Sequence, residues 1–224
     1  DVILVGDSLG MVIKGHETTL TVKMQEMTYH TKCVSTGVKN SLIMTDMPFS
    51  SYQQSPQKAY SNASKLIEAG AHLVKLEGNN WINETVEFLA NRDIPVCCHI
   101  GLLPQSIHKH GGYKLQGVEV EEAKKLLQLS KDLERSGAEC LVLELVSKNL
   151  AKQITDSISI PTIGIESGPY LDGQVLVLYD ILGLKTIKKP KSAKNFLQTS
   201  GSIKNCVQSF INAVKDGSFP GDSS

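Results

Sequence analysis

Five short apolar runs, VILV at 2–5, LIM at 42–44, LVKL at 73–76, VCC at 96–98 and LVL at 141–143, each lead into a residue able to do chemistry. The residues that close them are Asp7 with Ser8, then Asp46, Glu77, His99 and Glu144. Runs of this length, rich in branched side chains and bounded by turn residues, form strands buried on both faces of a parallel sheet. Ligands of parallel α/β proteins bind at the carboxyl ends of the strands, so the pattern predicts a single assembled site.

The segments between the runs carry helical punctuation. Ser55 is placed as an N-cap with Pro56 at the first helical position, and Gly70 closes the segment. A second helix is expected over 119–136, opened by acidic residues and stopped by Gly137. Further helices are expected near 22–36, 83–91, 148–157 and 202–215, and further strands at 161–165 and 174–178, which makes seven strands. Strands alternating with helices at these spacings imply right-handed crossovers and a parallel sheet. Because functional groups close five separate strands, a closed (βα)8 TIM-type barrel fits better than an open doubly wound sheet. The chain enters a strand almost at once, so a first strand and helix are expected to precede residue 1. Its 224 residues suit a single barrel domain spanning 1–224.

Lys plus Arg equals Asp plus Glu, 23 each, so the chain lacks the basic excess by which proteins hold nucleic acids. No apolar segment approaches the ~20 residues of a membrane span, and a cytoplasmic location without membrane partners is expected. The five cysteines, Cys33, Cys97, Cys98, Cys140 and Cys206, show no metal-finger spacing and read as buried free thiols of a reducing compartment. Two stretches read as loops: 108–117, with His108, His110, Gly111, Gly112 and Gly117, over the barrel mouth, and the lysine-rich 185–194 around Pro190, exposed to solvent.

Asp7, Asp46 and Glu77 are hard oxygen donors at three strand ends, a set suited to Mg²⁺. Taken singly, each also reads as a cap or turn residue. Lys75 lies two residues before Glu77 and so shares its face, where a buried ammonium needs an anionic partner, either Glu77 or a substrate carboxylate. Glu144 ends the most apolar strand, where it is a candidate general base or an ordinary carboxylate paired with a lysine such as Lys148. His99 could donate a hydrogen bond or shuttle a proton.

In these residues and the segments around them the chain resembles the ketopantoate hydroxymethyltransferase family almost end to end. The carrying segments are LVGDSLGM at 4–11, DMPF at 46–49, VKLEG at 74–78, HIGLLPQS at 99–106, GGYKLQG at 111–117, LVLE at 141–144 and DGQVLV at 172–177. The resemblance implies a (βα)8 barrel, assembled as a homodecamer, that transfers a hydroxymethyl group from 5,10-methylenetetrahydrofolate to 3-methyl-2-oxobutanoate in pantothenate and coenzyme A biosynthesis. It implies Mg²⁺ held by Asp7 and Asp46 with Glu77 in support, and a substrate site formed by Asp7, Ser8, Asp46, Lys75 and His99. It also implies Glu144 as the base. One departure stands out: after Gly164 and Ile165 the family continues with Gly then Ala, whereas this chain has Glu166 and Ser167, adding charge and bulk at the mouth. The competing readings are a Mg²⁺-dependent lyase or aldolase acting on another 2-oxo acid, and a catalytically silent barrel kept for assembly or binding.

Overall fold

The structure, a computed structural model, describes residues 1–110, 112–184 and 194–221. Seven parallel strands form one curled sheet in strict chain order. They are β1 (Val2–Val5), β2 (Leu42–Asp46), β3 (Leu73–Glu77), β4 (Val96–Gly101), β5 (Cys140–Glu144), β6 (Thr162–Ile165) and β7 (Gly173–Gln174). Sequential parallel order with a helical crossover between most neighbours is the barrel topology expected from the alternation, rather than the order reversal of a doubly wound sheet.

Strand alternation gives the sheet two apolar faces, each with its own core. Ile43, Val74, Leu76, Cys98, Ile100, Leu141 and Leu143 face outward and pack with the helices, together with Ala63, Leu66, Val86, Leu89 and Leu133. Leu4, Met44, Leu73, Cys97, Cys140, Val142, Ile163 and Ile165 face inward as a separate cluster. The inward positions of β2 to β5 read, from amino to carboxyl end, as apolar side chains followed by Asp46, Lys75 with Glu77, His99 and Glu144. With a period of two, the residues that fill the barrel floor fix which residues line its mouth.

The helices form where caps and periodicity place them: Met24–Gly37, Pro56–Glu68, Asn83–Ala90, Val120–Arg135, Lys148–Thr155 and Ile203–Lys215. The Ser55 hydroxyl accepts the Lys58 N–H at 3.1 Å, and Ser202 accepts the Asn205 N–H at 3.2 Å. Such caps contribute about 1 kcal/mol each. Gly70 and Gly137 close their helices at φ 106° and 95°.

Three expectations need correction. The strand at 174–178 is only Gly173–Gln174, and Leu178–Ile181 is a short helix. After the Val175 N–H bonds the Gly164 carbonyl at 2.9 Å the chain leaves the sheet, and Leu176 packs with Ile181, Phe196 and Phe210 in a cluster under the C-terminal helix. A short apolar run does not reveal whether its partner is a strand or a helix. The loop at 108–117 contains a short helix, Ile107–His110, before its far end is tied to β5 through the Gln116 N–H and the Leu145 carbonyl at 2.7 Å; Gly111 lies outside the described residues. Of the cysteines, Cys33 is exposed while the other four are buried, because residue 33 falls on the outer face of its helix. The lysines at 185, 188, 189 and 191 lie outside the described residues. Among the described residues no helix is long and apolar enough to cross a membrane.

Candidate active site

The carboxyl ends of β2, β3, β4 and β5, with the turn after β1, bring together Asp7, Asp46, Lys75, Glu77, His99 and Glu144. Asp7, Asp46, Lys75, Glu77 and His99 are all less than 8 % exposed. The Lys75 ammonium lies 2.8 Å from Asp46 Oδ1 and 3.4 Å from His99 Nδ1. Its anionic partner is therefore Asp46 and not Glu77, which corrects the expectation drawn from shared strand face. In register Asp46 lies opposite Lys75, so the pair meets across β2 and β3.

Glu77 is engaged on both oxygens. Oε1 accepts the Gln105 backbone N–H at 2.5 Å, and Oε2 lies 3.3 Å from His99 Nδ1. The other ring nitrogen, Nε2, lies 3.2 Å from Glu144 Oε2 without an aligned hydrogen bond, so the imidazole sits between two carboxylates from β3 and β5. Register explains the placement, since His99 pairs with Glu77 on one side and Val142, two residues before Glu144, on the other. Gly101, two residues beyond, has φ 95°, and a side chain there would run into the Glu144 carbonyl. That same carbonyl accepts the Leu102 N–H at 2.8 Å, so glycine is required where β4 leaves the sheet beside the site.

Two residues given no role in the sequence reading hold the cluster in place. Gln105 donates from Nε2 to Asp7 Oδ2 at 2.9 Å and to the Met47 carbonyl at 3.0 Å. The Tyr52 hydroxyl lies 2.8 Å from the Glu77 carbonyl and 2.9 Å from Gln105 Oε1, and it accepts the Glu77 N–H at 3.2 Å. Tyr52 is stacked on Trp81 at 6.0 Å between ring centroids. Both residues reach the site from loops, so the strand pattern carries no sign of them; the signal for Gln105 was its place after Pro104 at the start of a short 3-10 helix. Ser8 follows Asp7, half-buried, at the start of a short helix.

Electrostatics follow from burial. Loss of water and the neighbouring Asp46 carboxylate push Asp7 up to about 8, against the opposing effect of Lys75. Burial works against the Lys75 charge, but Asp46, Glu77 and Asp7 outweigh it and hold the ammonium above its ordinary value. Burial and Lys75 also oppose a charged His99, while Glu144 and Glu77 prevail and raise it. Three buried carboxyl groups thus crowd one buried ammonium, and the repulsion that helps keep a proton on Asp7 is what a bound cation would relieve.

Among the described residues no three His, Cys, Asp or Glu side chains converge as a ready metal cage. Asp46 Oδ1 is buried without an aligned hydrogen bond, and Asp7 lies beside it, with its N–H on Asp46 Oδ2 at 2.9 Å. Two carboxylates of this kind fit Mg²⁺, which keeps several waters and takes one or two protein carboxylates. Ser167, at the departure from the family pattern, is buried; its hydroxyl donates to the Leu143 carbonyl at 2.8 Å and accepts the Val146 N–H at 3.1 Å, tying β6 to β5.

Fold and cluster together define a curled parallel α/β sheet of the barrel type, with a charged, buried site at the carboxyl ends of its strands. The same fold is seen in 2,3-dimethylmalate lyase, a PEP mutase/isocitrate lyase superfamily member (TM-score 0.54, 15 % identity, covering 79 % of this chain and 61 % of that one). The ketopantoate hydroxymethyltransferase family model matches residues 1–222. The 3-methyl-2-oxobutanoate hydroxymethyltransferase of Thiobacillus denitrificans is 54 % identical over 220 residues, covering 98 % of this chain and 84 % of the relative. The enzyme of the same name from Nitrosospira multiformis is 53 % identical over 221 residues, covering 99 % and 84 %. This chain belongs to the ketopantoate hydroxymethyltransferase family.

Proposed function

We propose that the chain transfers a hydroxymethyl group from 5,10-methylenetetrahydrofolate to 3-methyl-2-oxobutanoate, giving ketopantoate. Mass balance requires one water, which turns the methylene carried by the donor into a hydroxymethyl group. The observation that carries the assignment of roles is the differing burial of the carboxylates. The Glu144 side chain is 16 % exposed, against 6 % for Asp46 and 4 % for Glu77. A general base must reach the proton it removes, and Glu144 is the carboxylate open to the mouth.

On this reading water takes the methylene carbon off the two nitrogens of the donor as a one-carbon unit at the oxidation level of formaldehyde, leaving tetrahydrofolate; Glu144 takes the proton from the carbon next to the substrate keto group, that carbon bonds to the one-carbon unit, and the new oxyanion takes up a proton to become the hydroxyl. His99 faces Glu144 with its Nε2 side and is itself anchored through Nδ1 to Glu77. Lys75 offers its ammonium to the substrate carboxylate, a second anion beside Asp46, and so fixes which face of the substrate meets Glu144. Ser8 contributes its hydroxyl to the same carboxylate. Asp7 and Asp46 would hold Mg²⁺, with Glu77 in support; when bound, the metal supplies Lewis-acid polarisation of the keto oxygen. Assembly as a homodecamer and a cytoplasmic location belong to the same reading, and the exposed Tyr113, Leu115, Val118 and Val120 are consistent with a covered surface.

Purified protein with Mg²⁺, 3-methyl-2-oxobutanoate and methylenetetrahydrofolate should form ketopantoate, detected by mass spectrometry. Absence of product from the wild-type protein would overturn the proposal.

A further inference from the structure

The loop between β4 and the Val120–Arg135 helix carries a proton-bearing side chain, Tyr113, to the end of β5. The loop is tied down at its far end. The Gln116 N–H bonds the Leu145 carbonyl at 2.7 Å, the Gln116 carbonyl accepts the Ser147 N–H at 3.0 Å, and the Ser147 hydroxyl donates to the Gly117 carbonyl at 3.1 Å. Gln116 and Val146 thus pair as a parallel bridge just beyond β5. Gly117, at φ 69°, lets the loop lie against the Lys148–Thr155 helix, because a side chain there would run into Leu150. Leu145, which accepts the first of these bonds, directly follows Glu144.

Tyr113 stands three residues before Gln116, and three residues of chain span at most about 11 Å. The anchor therefore keeps the tyrosine near the end of β5, and the Glu144 carboxylate acts on it. Partial burial, and then that carboxylate, raise the Tyr113 hydroxyl above the ordinary tyrosine value, so the phenol keeps its proton at neutral pH. Tyr113 is 59 % exposed, which leaves it open to a molecule entering the mouth. Glu144 is likewise the carboxylate that the mouth exposes. A strong acceptor and a neutral O–H donor thus stand together on the open side of the site.

The reaction calls for such a donor. The carbon that gives its proton to Glu144 is the carbon that bonds to the one-carbon unit, so the new oxyanion forms close to Glu144. We propose that Tyr113 is a further catalytic residue, in a role that rests on the reaction proposed above: its hydroxyl bonds the oxygen of the one-carbon unit and gives it a proton as the carbon–carbon bond forms. The phenolate so left takes the proton that Glu144 removed from the substrate, which returns both side chains to their starting states. One C–H bond breaks, one C–C and one O–H bond form, and no oxidant or reductant takes part. A donor aimed at an oxygen whose charge grows during the step lowers the barrier more than it tightens substrate binding.

Two measurements on the whole chain test the role. With Mg²⁺ and 3-methyl-2-oxobutanoate alone in D₂O, NMR follows exchange of the proton that Glu144 removes; with methylenetetrahydrofolate added, mass spectrometry follows ketopantoate. Tyr113→Phe should exchange that proton within about twofold of the wild-type rate. It should form ketopantoate at least about tenfold more slowly, through kcat and with little change in KM for the 2-oxo acid. Glu144→Gln should lose both exchange and transfer. A displaced loop would slow exchange and raise KM together, so that pattern in Tyr113→Phe overturns the role, as does transfer within about threefold of wild type. The variant removes one oxygen from an exposed residue, so it should fold, as circular dichroism checks. The two readings fail separately: a wild type that makes no ketopantoate overturns the proposed function, whereas turnover kept by Tyr113→Phe overturns the role of Tyr113 alone.

Discussion

Lys75 and Asp46 form a buried ion pair, Nζ to Oδ1 at 2.8 Å, between neighbouring strands at the centre of the site. The pair is not isolated, because Glu77 and Asp7 also act on the ammonium. Removing one partner of a buried pair leaves the other charge uncompensated, which costs about 3–5 kcal/mol. Lys75→Met should therefore destabilise the protein by that order in urea denaturation, since it leaves the carboxylates to repel one another. A loss below about 1 kcal/mol would mean that solvent or protonation already neutralises them.

Glu144 is the carboxylate open to the mouth, and Glu144→Gln keeps its size while removing its basicity. The substitution should lower kcat by about 10²–10⁴ with little change in melting temperature, because the residue is half-buried and the amide fills the same space beside His99. A stopped assay for ketopantoate checks the rate, and a thermal scan checks the fold. A variant that turns over within about threefold of wild type would remove Glu144 from the role of base.

The strand ends were legible in the sequence because a period of two ties each of them to an apolar residue on the barrel floor. Met44 fixes Asp46, Leu73 fixes Lys75 and Glu77, Cys97 fixes His99, and Val142 fixes Glu144. What the pattern does not contain is pairing between strands. Register decides that Lys75 meets Asp46, and that His99 spans Glu77 and Glu144. The loop residues Gln105 and Tyr52 were illegible for a different reason: their roles depend on where a loop folds back, and local propensity does not encode that. The mistaken strand at 174–178 has the same origin, as its apolar side chains serve a helix cluster and not the sheet.

Gln105 is the joint of the site, bonded to Asp7, to Glu77, to Tyr52 and to the Met47 carbonyl. Gln105→Leu keeps the backbone N–H on Glu77 but leaves Asp7 Oδ2 and the Met47 carbonyl without their donor. Each buried polar group so stranded costs about 1–3 kcal/mol. A fall in stability of about that size should accompany a larger KM for the 2-oxo acid, because Asp7 loses the bond that orients it. Unchanged stability and KM would show that water replaces the side chain.

Asp7 gives the site a pH signature. Its carboxyl is pushed from 3.8 up to about 8, first by burial and then by Asp46. Between those values the folded state holds a proton that the unfolded state has released, so folding stability must fall as pH rises through the window. In the absence of divalent metal the protein should be more stable near pH 5 than near pH 8, and Asp7→Asn should flatten the difference. Thermal scans in chelator across the range would measure it. A stability that rises over this window in wild type, and is unaltered in Asp7→Asn, would place Asp7 among ordinary ionised carboxylates.

Glu166, an expected departure from the family pattern, sits in a turn whose backbone bears on stability. Its φ is 53°, in the left-handed region that a residue with a Cβ enters at about 1–2 kcal/mol. Ser167 beside it is locked to β5 by two hydrogen bonds, so the turn cannot relax to another conformation. Glycine relieves the strain but adds about 0.5–1 kcal/mol of chain entropy to the unfolded state, leaving a net gain of at most about 1.5 kcal/mol. Glu166→Gly should therefore leave stability unchanged or raise it slightly, while Glu166→Val, branched at Cβ, should lower it by about 1–2 kcal/mol. Denaturant midpoints of the two variants separate these outcomes. Should Glu166→Gly prove the less stable of the pair, the contacts of the glutamate side chain, and not the backbone, govern this turn.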